Sequence, residues 1–225
     1  MQAPSVIIYK PVIPKDSELV QILGEVAVEK LFSLLINNNI EVVLKSGCSK
    51  IILLNCENLL DEVFNVDESN SKIVHIHVEV QTDGIFNQIE KVVSIDEKLL
   101  FIKGNTIGLT DGYLLKISNQ LELEEDVCVI NYDDDDELCA YASVGVNSFM
   151  TEQIISGLKY SSIIKNDSLP DKFFIFQKEI HSINFISDFP KLYNYISIRE
   201  NEHLCSKYFY DQFTEIFIEF RDLLK

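Results

Sequence analysis

Residues 98–121, KLLFIKGNTIGLTDGYLLKISNQL, and residues 126–146, DVCVINYDDDDELCAYASVGV, decide the fold. Leu99, Leu100, Phe101 and Ile102 form an apolar run of the length of a buried strand. Gly104 marks a turn behind it, and residues 110–121 read as a helix. A second strand follows over residues 127–130, then the four aspartates Asp133, Asp134, Asp135 and Asp136, then a third strand over residues 138–146. A buried strand that ends in a turn and feeds a helix is where open α/β sheets place their ligands.

Outward from this stretch, strand and helix signals alternate. Residues 6–9 read as a first buried strand, broken by Pro11 and Pro14, because proline cannot serve a central strand. Ser17 is placed to cap a helix, and Leu19, Ile22, Leu23, Val26, Leu31, Leu34 and Leu35 give it an apolar stripe. Asn37, Asn38 and Asn39 read as its end, residues 40–44 as a second strand and residues 51–54 as a third. A short helix is expected over residues 58–64 and a polar loop over 67–71. Residues 73–80 alternate, with His75, His77 and Glu79 on one face. Helices are predicted over residues 82–95 and 148–159, a polar loop over 166–171, a late strand over 173–176 and a helix over 190–196. A terminal helix spans residues 203–224, with Phe209, Phe213, Phe217, Phe220 and Leu224 on one face. That face reads as core or, if exposed, as a homodimer surface. Strands alternating with helices imply a mainly parallel sheet covered on both sides.

Composition excludes several function classes. The chain has 225 residues and a net charge of −17. Nucleic-acid binding rests on lysine and arginine meeting phosphates, so it is not expected. The two arginines, Arg199 and Arg221, both lie near the C-terminus, leaving lysines, backbone amides or a metal for any earlier phosphate site. No apolar run reaches the roughly 18 residues of a membrane span. The N-terminal residues lack the basic stretch of a secretory signal. The five cysteines show no CxxC spacing, which fits buried thiols in a cytoplasm better than zinc. One domain over residues 1–225 is the expected organisation.

Few residues offer chemistry. Carboxylates just past the end of a strand can hold Mg²⁺ or Mn²⁺, which take oxygen ligands and bridge phosphates. Asp133, Asp134 and Asp135 are the candidates, beside the alternative of a solvated acidic turn. His75 and His77 share a strand face without a third ligand nearby. Gly104, Asn105 and Thr106 lie in a turn that lacks the spacing of a nucleotide fingerprint. Nucleophilic catalysis finds no motif.

Several segments together resemble a bacterial family of small GT-A-type glycosyltransferase-like proteins, relatives of the nucleotide-diphospho-sugar transferases. The similarity is one of order and spacing over most of residues 5–160. Ile7-Ile8-Tyr9-Lys10-Pro11-Val12-Ile13-Pro14 and Leu23-Gly24 match the family's first strand, its Pro-x-Pro-Gly loop and the start of its helix. Gln81-Thr82-Asp83-Gly84-Ile85-Phe86-Asn87 resembles its Gln-Gly-x-Gly-Asp-Leu-Gly segment. Gly104-Asn105-Thr106-Ile107-Gly108 falls on its Gly-Ser-Asp-Cys-Pro turn, and the aspartate run falls on its Asp-Gly-Gly motif. The resemblance implies a single α/β GT-A-like domain with a mixed, mainly parallel sheet. Residues 1–160 would form the core and 161–225 a C-terminal extension packed on it. It further implies a nucleotide-sugar ligand with Mg²⁺ or Mn²⁺, phosphate contacts from Lys10 or Lys15 with Gly104, Asn105 and Thr106, and a carboxylate at Asp136 or Glu137 acting on the acceptor.

The departures concern the chemistry. The family's basic segment becomes Lys15-Asp16-Ser17-Glu18, whose acids repel a diphosphate. Its turn aspartate, the implied metal ligand, is Thr106, a poor substitute on Mg²⁺. Its two glycines become Asp135 and Asp136. The expectation is a diverged, catalytically impaired relative that acts as a binding or interaction domain. The alternative is an active, metal-dependent glycosyltransferase.

Overall fold

The computed structural model describes residues 3–54, 73–76, 83–123, 126–157, 159–161, 173–198 and 204–223. Nine strands and seven helices fall within them. The strands are β1 (Ser5–Tyr9), β2 (Ile51–Leu54), β3 (Ile73–Ile76), β4 (Lys98–Lys103), β5 (Thr106–Ile107), β6 (Val127–Tyr132), β7 (Leu138–Val144), β8 (Phe173–Gln177) and β9 (His181–Ser182). The helices are α1 (Glu18–Leu23), α2 (Glu25–Lys45), α3 (Asp83–Glu90), α4 (Asp111–Gln120), α5 (Ser148–Ser156), α6 (Asp188–Ser197) and α7 (Lys207–Phe220).

The main sheet has the order β3-β2-β1-β4-β7-β6-β8. Only β7 runs against the rest, pairing antiparallel with both β4 and β6. The other pairings are parallel. The expected mixed, mainly parallel α/β sheet is therefore the fold. Strands β5 and β9 form a small antiparallel ribbon beyond the end of β4, with Ile107 opposite His181.

Alternate residues of each strand face opposite sides, and each side carries its own helices. Val6, Ile8, Leu100, Ile102 and Val129 join Ile36, Ile40 and Val43 of α2 and Leu114 and Ile117 of α4. Ile7, Leu99, Phe101, Cys128 and Ile130 face Ile85 and Ile89 of α3 and Met150 and Ile154 of α5. Each fully buried Ile, Leu or Phe contributes about 1.5–3 kcal/mol of transfer free energy, which is why the near-continuous apolar strands were legible. A third cluster contains no residue of the main sheet. The first half of α2 packs there with α1, α6, α7 and Ile107, through Leu31, Leu35, Phe189, Phe209 and Phe213 among others. The aromatic stripe of the terminal helix is thus largely spent inside its own chain.

The expected strand over residues 40–44 is instead the last part of α2, which runs unbroken through the three asparagines to Lys45. A β-branched run after Asn-Asn-Asn reads as a break followed by a strand. Tertiary partners override that propensity. Asn38 accepts a hydrogen bond from the Ser206 N–H (3.1 Å) and donates to the Leu204 carbonyl (3.4 Å), while Asn39 donates to the Thr106 carbonyl (3.1 Å). Ile36, Ile40 and Val43 recur at helical spacing and bury on the sheet. Three other helices are shorter than predicted: α3 ends at Glu90, α5 ends at Ser156 before a left-handed Gly157, and α7 runs from Lys207 to Phe220. The helix expected over residues 58–64, the strand continuation over 77–80, and the loops over 67–71 and 166–171 lie outside the described residues.

Candidate functional site

The loops following β1, β4 and β6 lie at the C-terminal edge of the parallel strands, where this class of sheet receives ligands. At the end of β4, the Gly104 N–H donates to the Tyr9 carbonyl (2.7 Å), joining the first two loops. A Cβ on Gly104 would stand 2.5 Å from Cγ1 of Ile36. The glycine is therefore required by packing against α2. The Thr106 hydroxyl donates to the Lys103 carbonyl (2.6 Å) inside the fold, and Thr106 is fully buried.

A chain of hydrogen bonds runs from this segment to the acidic turn. Asn105 Nδ2 donates to Asn184 Oδ1 (2.9 Å), Asn184 Nδ2 donates to Ser182 Oγ (2.7 Å), and Ser182 Oγ donates to Asp133 Oδ2. Lys103 Nζ meets Glu137 Oε2 at 3.4 Å. Gly104, Asn105, Thr106 and the aspartates thus share one side of the molecule.

The four aspartates have four different environments. Asp133 is buried; its Oδ1 accepts the N–H groups of Asp135 (3.1 Å) and Glu137 (2.9 Å), and its Oδ2 accepts Ser182 Oγ and the Cys139 thiol (3.6 Å). Burial, and after it the charge of Asp133, push the Cys139 thiol well above its ordinary range, so it stays protonated and donates. Asp134 is exposed and pairs with Lys178 (3.1 Å). Asp135 lies 3.7 Å from Lys191. Asp136 has φ 66°, the sole non-glycine among the described residues in the left-handed region. Aspartate tolerates this conformation better than most residues. Asp136 Oδ2 accepts the Ser161 N–H (3.3 Å).

Lys10 and Lys15 lie on the loop after β1, and each faces a carboxylate of α2. Lys10 pairs with Glu29 at 2.7 Å and Lys15 with Glu25 at 3.1 Å. His75 lies in β3, in register with Leu53; His77 is outside the described residues. Among the described residues, no three His, Cys, Asp or Glu side chains form a metal-holding group.

A cavity of about 270 Å³ opens between the acidic turn and the C-terminal segment. Ile107, Ile183 and Leu192 supply apolar lining, while Asp135, Lys191 and Tyr195 supply polar groups. Lys191 Nζ lies 3.1 Å from Asp188 Oδ1, and that bond, with the nearby aspartate charges, raises its pKa above the ordinary lysine value. The Tyr195 ring meets His181 edge to face. Sequence reasoning singled out none of Lys103, His181, Ser182, Lys191 or Tyr195. Their signal is spatial: residues 181–195 reach the turn through the β6–β8 and β5–β9 pairings, with Asn131 Oδ1 accepting the Glu179 (3.0 Å) and Ile180 (3.1 Å) N–H groups. Lys103 alone carries a local signal, as the polar residue that ends an apolar strand.

No protein-family model matches the chain, and no curated protein matches it in sequence. Solved structures do. A protein of Desulfovibrio desulfuricans G20, named as a nucleotide-diphospho-sugar transferase, superposes with a TM-score of 0.70 at 10% identity, covering 99% of this chain and 98% of that one. Rv0371c of Mycobacterium tuberculosis H37Rv matches with a TM-score of 0.53 at 10% identity, over 85% of this chain and 98% of that one. A cytidylyltransferase of Leptospira borgpetersenii matches with a TM-score of 0.52 at 11% identity, over 100% and 97%. The chain therefore has the GT-A-like nucleotide-diphospho-sugar transferase fold. No helix among the described residues is long and apolar enough to cross a membrane.

Proposed function

We propose that this chain is a diverged relative of the nucleotide-sugar transferases that has lost the transfer reaction and acts as a binding or interaction domain. The observation that carries the reading is the charge around the loop after β1. In a site for a nucleotide diphosphate, that loop must present positive charge or free N–H groups. Here two lysines, Lys10 and Lys15, stand among four carboxylates, Asp16, Glu18, Glu25 and Glu29. Both lysines already face a glutamate of α2. Such exposed pairs are individually weak, but the summed field is negative where a diphosphate would have to arrive. The burial of Thr106 with its hydroxyl turned to the Lys103 carbonyl supports the same reading. On this reading residues 1–160 are the inherited core and residues 161–225 an extension whose described part closes one side of the cavity.

The test is thermal unfolding with UDP-, GDP- and CDP-sugars at millimolar concentration, with Mn²⁺. A ligand present at 100 times its Kd adds about 2.7 kcal/mol to the folded state, a shift of several degrees for a chain of this size. No shift is expected with any of the three. A shift that disappears in Asp134→Ala and Asp135→Ala would establish the metal-dependent glycosyltransferase instead.

A further inference from the structure

We infer that the acidic turn at residues 133–137 is a metal-free clamp, in which the protein's own donors and ammonium groups take the place of the divalent cation that the resemblance implies. The inference deepens the functional reading above and rests on the same fold assignment, but its observations come from the turn after β6 rather than from the loop after β1.

A metal-ligating carboxylate must offer free lone pairs. A carboxylate has about four acceptor sites, and those of Asp133 meet two N–H groups and the Ser182 hydroxyl, with the Cys139 thiol shared between Asp133 Oδ2 (3.6 Å) and the Glu137 carbonyl (3.4 Å). Asp133 is the most deeply buried of the four aspartates, hence the one whose charge would bind a cation most strongly. Glu137 is also withdrawn, through the 3.4 Å pair with buried Lys103. Of the remainder, Asp136 takes the Ser161 N–H, and Asp134 and Asp135 each face a lysine. The residues present do not fit a resident Mg²⁺ or Mn²⁺.

The donors to this turn come from several separate parts of the chain. Lys103 ends β4, Ser161 follows α5, Lys178 follows β8, Ser182 ends β9 and Lys191 lies on α6. The Tyr160 N–H adds a backbone bond to the Asp136 carbonyl (2.9 Å). The turn therefore gathers the C-terminal segment onto the sheet edge. The buried contacts, Ser182 on Asp133 and Lys103 on Glu137, carry this role; the exposed pairs of Lys178 and Lys191 add little.

The experiment titrates Mn²⁺ alone into the full chain, following bound metal by electron paramagnetic resonance, beside an Asp134→Asn/Asp135→Asn variant and a Ser182→Ala variant. The expected result is no site tighter than about 1 mM that depends on Asp134 and Asp135, as for solvated carboxylates lacking a preformed cage. Ser182→Ala should speed amide hydrogen exchange in α6 and β9 with or without Mn²⁺. Mn²⁺ bound equally by wild type, the double variant and Asp133→Asn and Asp136→Asn variants lies elsewhere on this acidic chain and agrees with the inference, whereas a saturable site that either single variant weakens overturns it. A saturable site tighter than about 100 µM that the double variant abolishes overturns it. Unchanged exchange in Ser182→Ala removes the clamp. The two readings fail separately: sugar transfer without metal at the turn would refute the loss of catalysis and leave this inference standing.

Discussion

The two ends of the parallel strands are stitched in the same way, although one end is structural and the other is where such sheets bind ligands. At the N-terminal end, Glu97 collects three donors: the Ser5 hydroxyl, the Ser94 N–H (3.0 Å) and Lys50 Nζ (3.3 Å). At the C-terminal end, Asp133 collects four. Sites that act on ligands leave polar groups free to meet them, and their residues keep perturbed, unquenched charge. The Asp133 carboxylate is at least as well satisfied as Glu97, although the buried Asn105 Oδ1 and Gln177 Oε1 at the same edge accept no hydrogen bond among the described residues. The difference that remains is a cation: Glu97 has Lys50 beside it, whereas Asp133 is held by uncharged donors alone. Asp133 thus acts as the centre of a turn, its charge spread over two N–H groups, a hydroxyl and a thiol.

Substitutions can break this parallel, in descending order of effect. Asp133→Ala removes the acceptor of the buried Ser182 hydroxyl and of the Asp135 and Glu137 N–H groups and should lower stability by about 2–4 kcal/mol, read as a fall in the urea midpoint. A loss under about 1 kcal/mol would mean that the turn holds itself without the carboxylate. Gly104→Val drives a side chain into Ile36 and should cost about 1–3 kcal/mol, without changing the slope of the urea transition. Glu97→Gln should cost about 1–2 kcal/mol, and its effect should depend on pH. Burial raises the Glu97 carboxyl, but the bonds from Ser5, Ser94 and Lys50 outweigh it and leave its pKa lowered. A depressed carboxyl stabilises the fold fully above its unfolded pKa of about 4.3, and that stabilisation is lost as pH falls through the lower folded value. The gap between wild type and Glu97→Gln should be full at pH 7 and shrink below about pH 4. A gap that stayed constant into acid would assign the loss to packing. The smallest effect is expected at the other loop: Lys10→Ala and Lys15→Ala should each change stability by less than about 0.5 kcal/mol, as exposed pairs do.

The fold was legible where burial repeats. The apolar runs of β1, β2, β4 and β6 are buried from both sides, so sequence and structure carry the same message there. Legibility failed in α2, where Asn38 and Asn39 find partners 67 to 168 residues away; no local window contains Thr106 or Ser206. The candidate site was half visible. The aspartate run and the Gly104 turn could be named from order and spacing, and the structure brings them to one edge. What each aspartate does could not be read, because four identical letters lie in four environments. Ser182, Lys178 and Lys191 give those environments their character, and they arrive from the far end of the chain. Asp136 is a further case: its left-handed backbone is not signalled by its residue type.

The central claim is that the inherited edge no longer receives a nucleotide-sugar. An amide-resolved NMR titration of the intact chain with UDP-glucose and Mg²⁺ tests it directly, with the Gly104, Thr106 and Asp134 N–H signals as reporters. The account predicts that all three stay in place up to millimolar ligand. Saturable shifts at these amides that vanish when Mg²⁺ is chelated would contradict it.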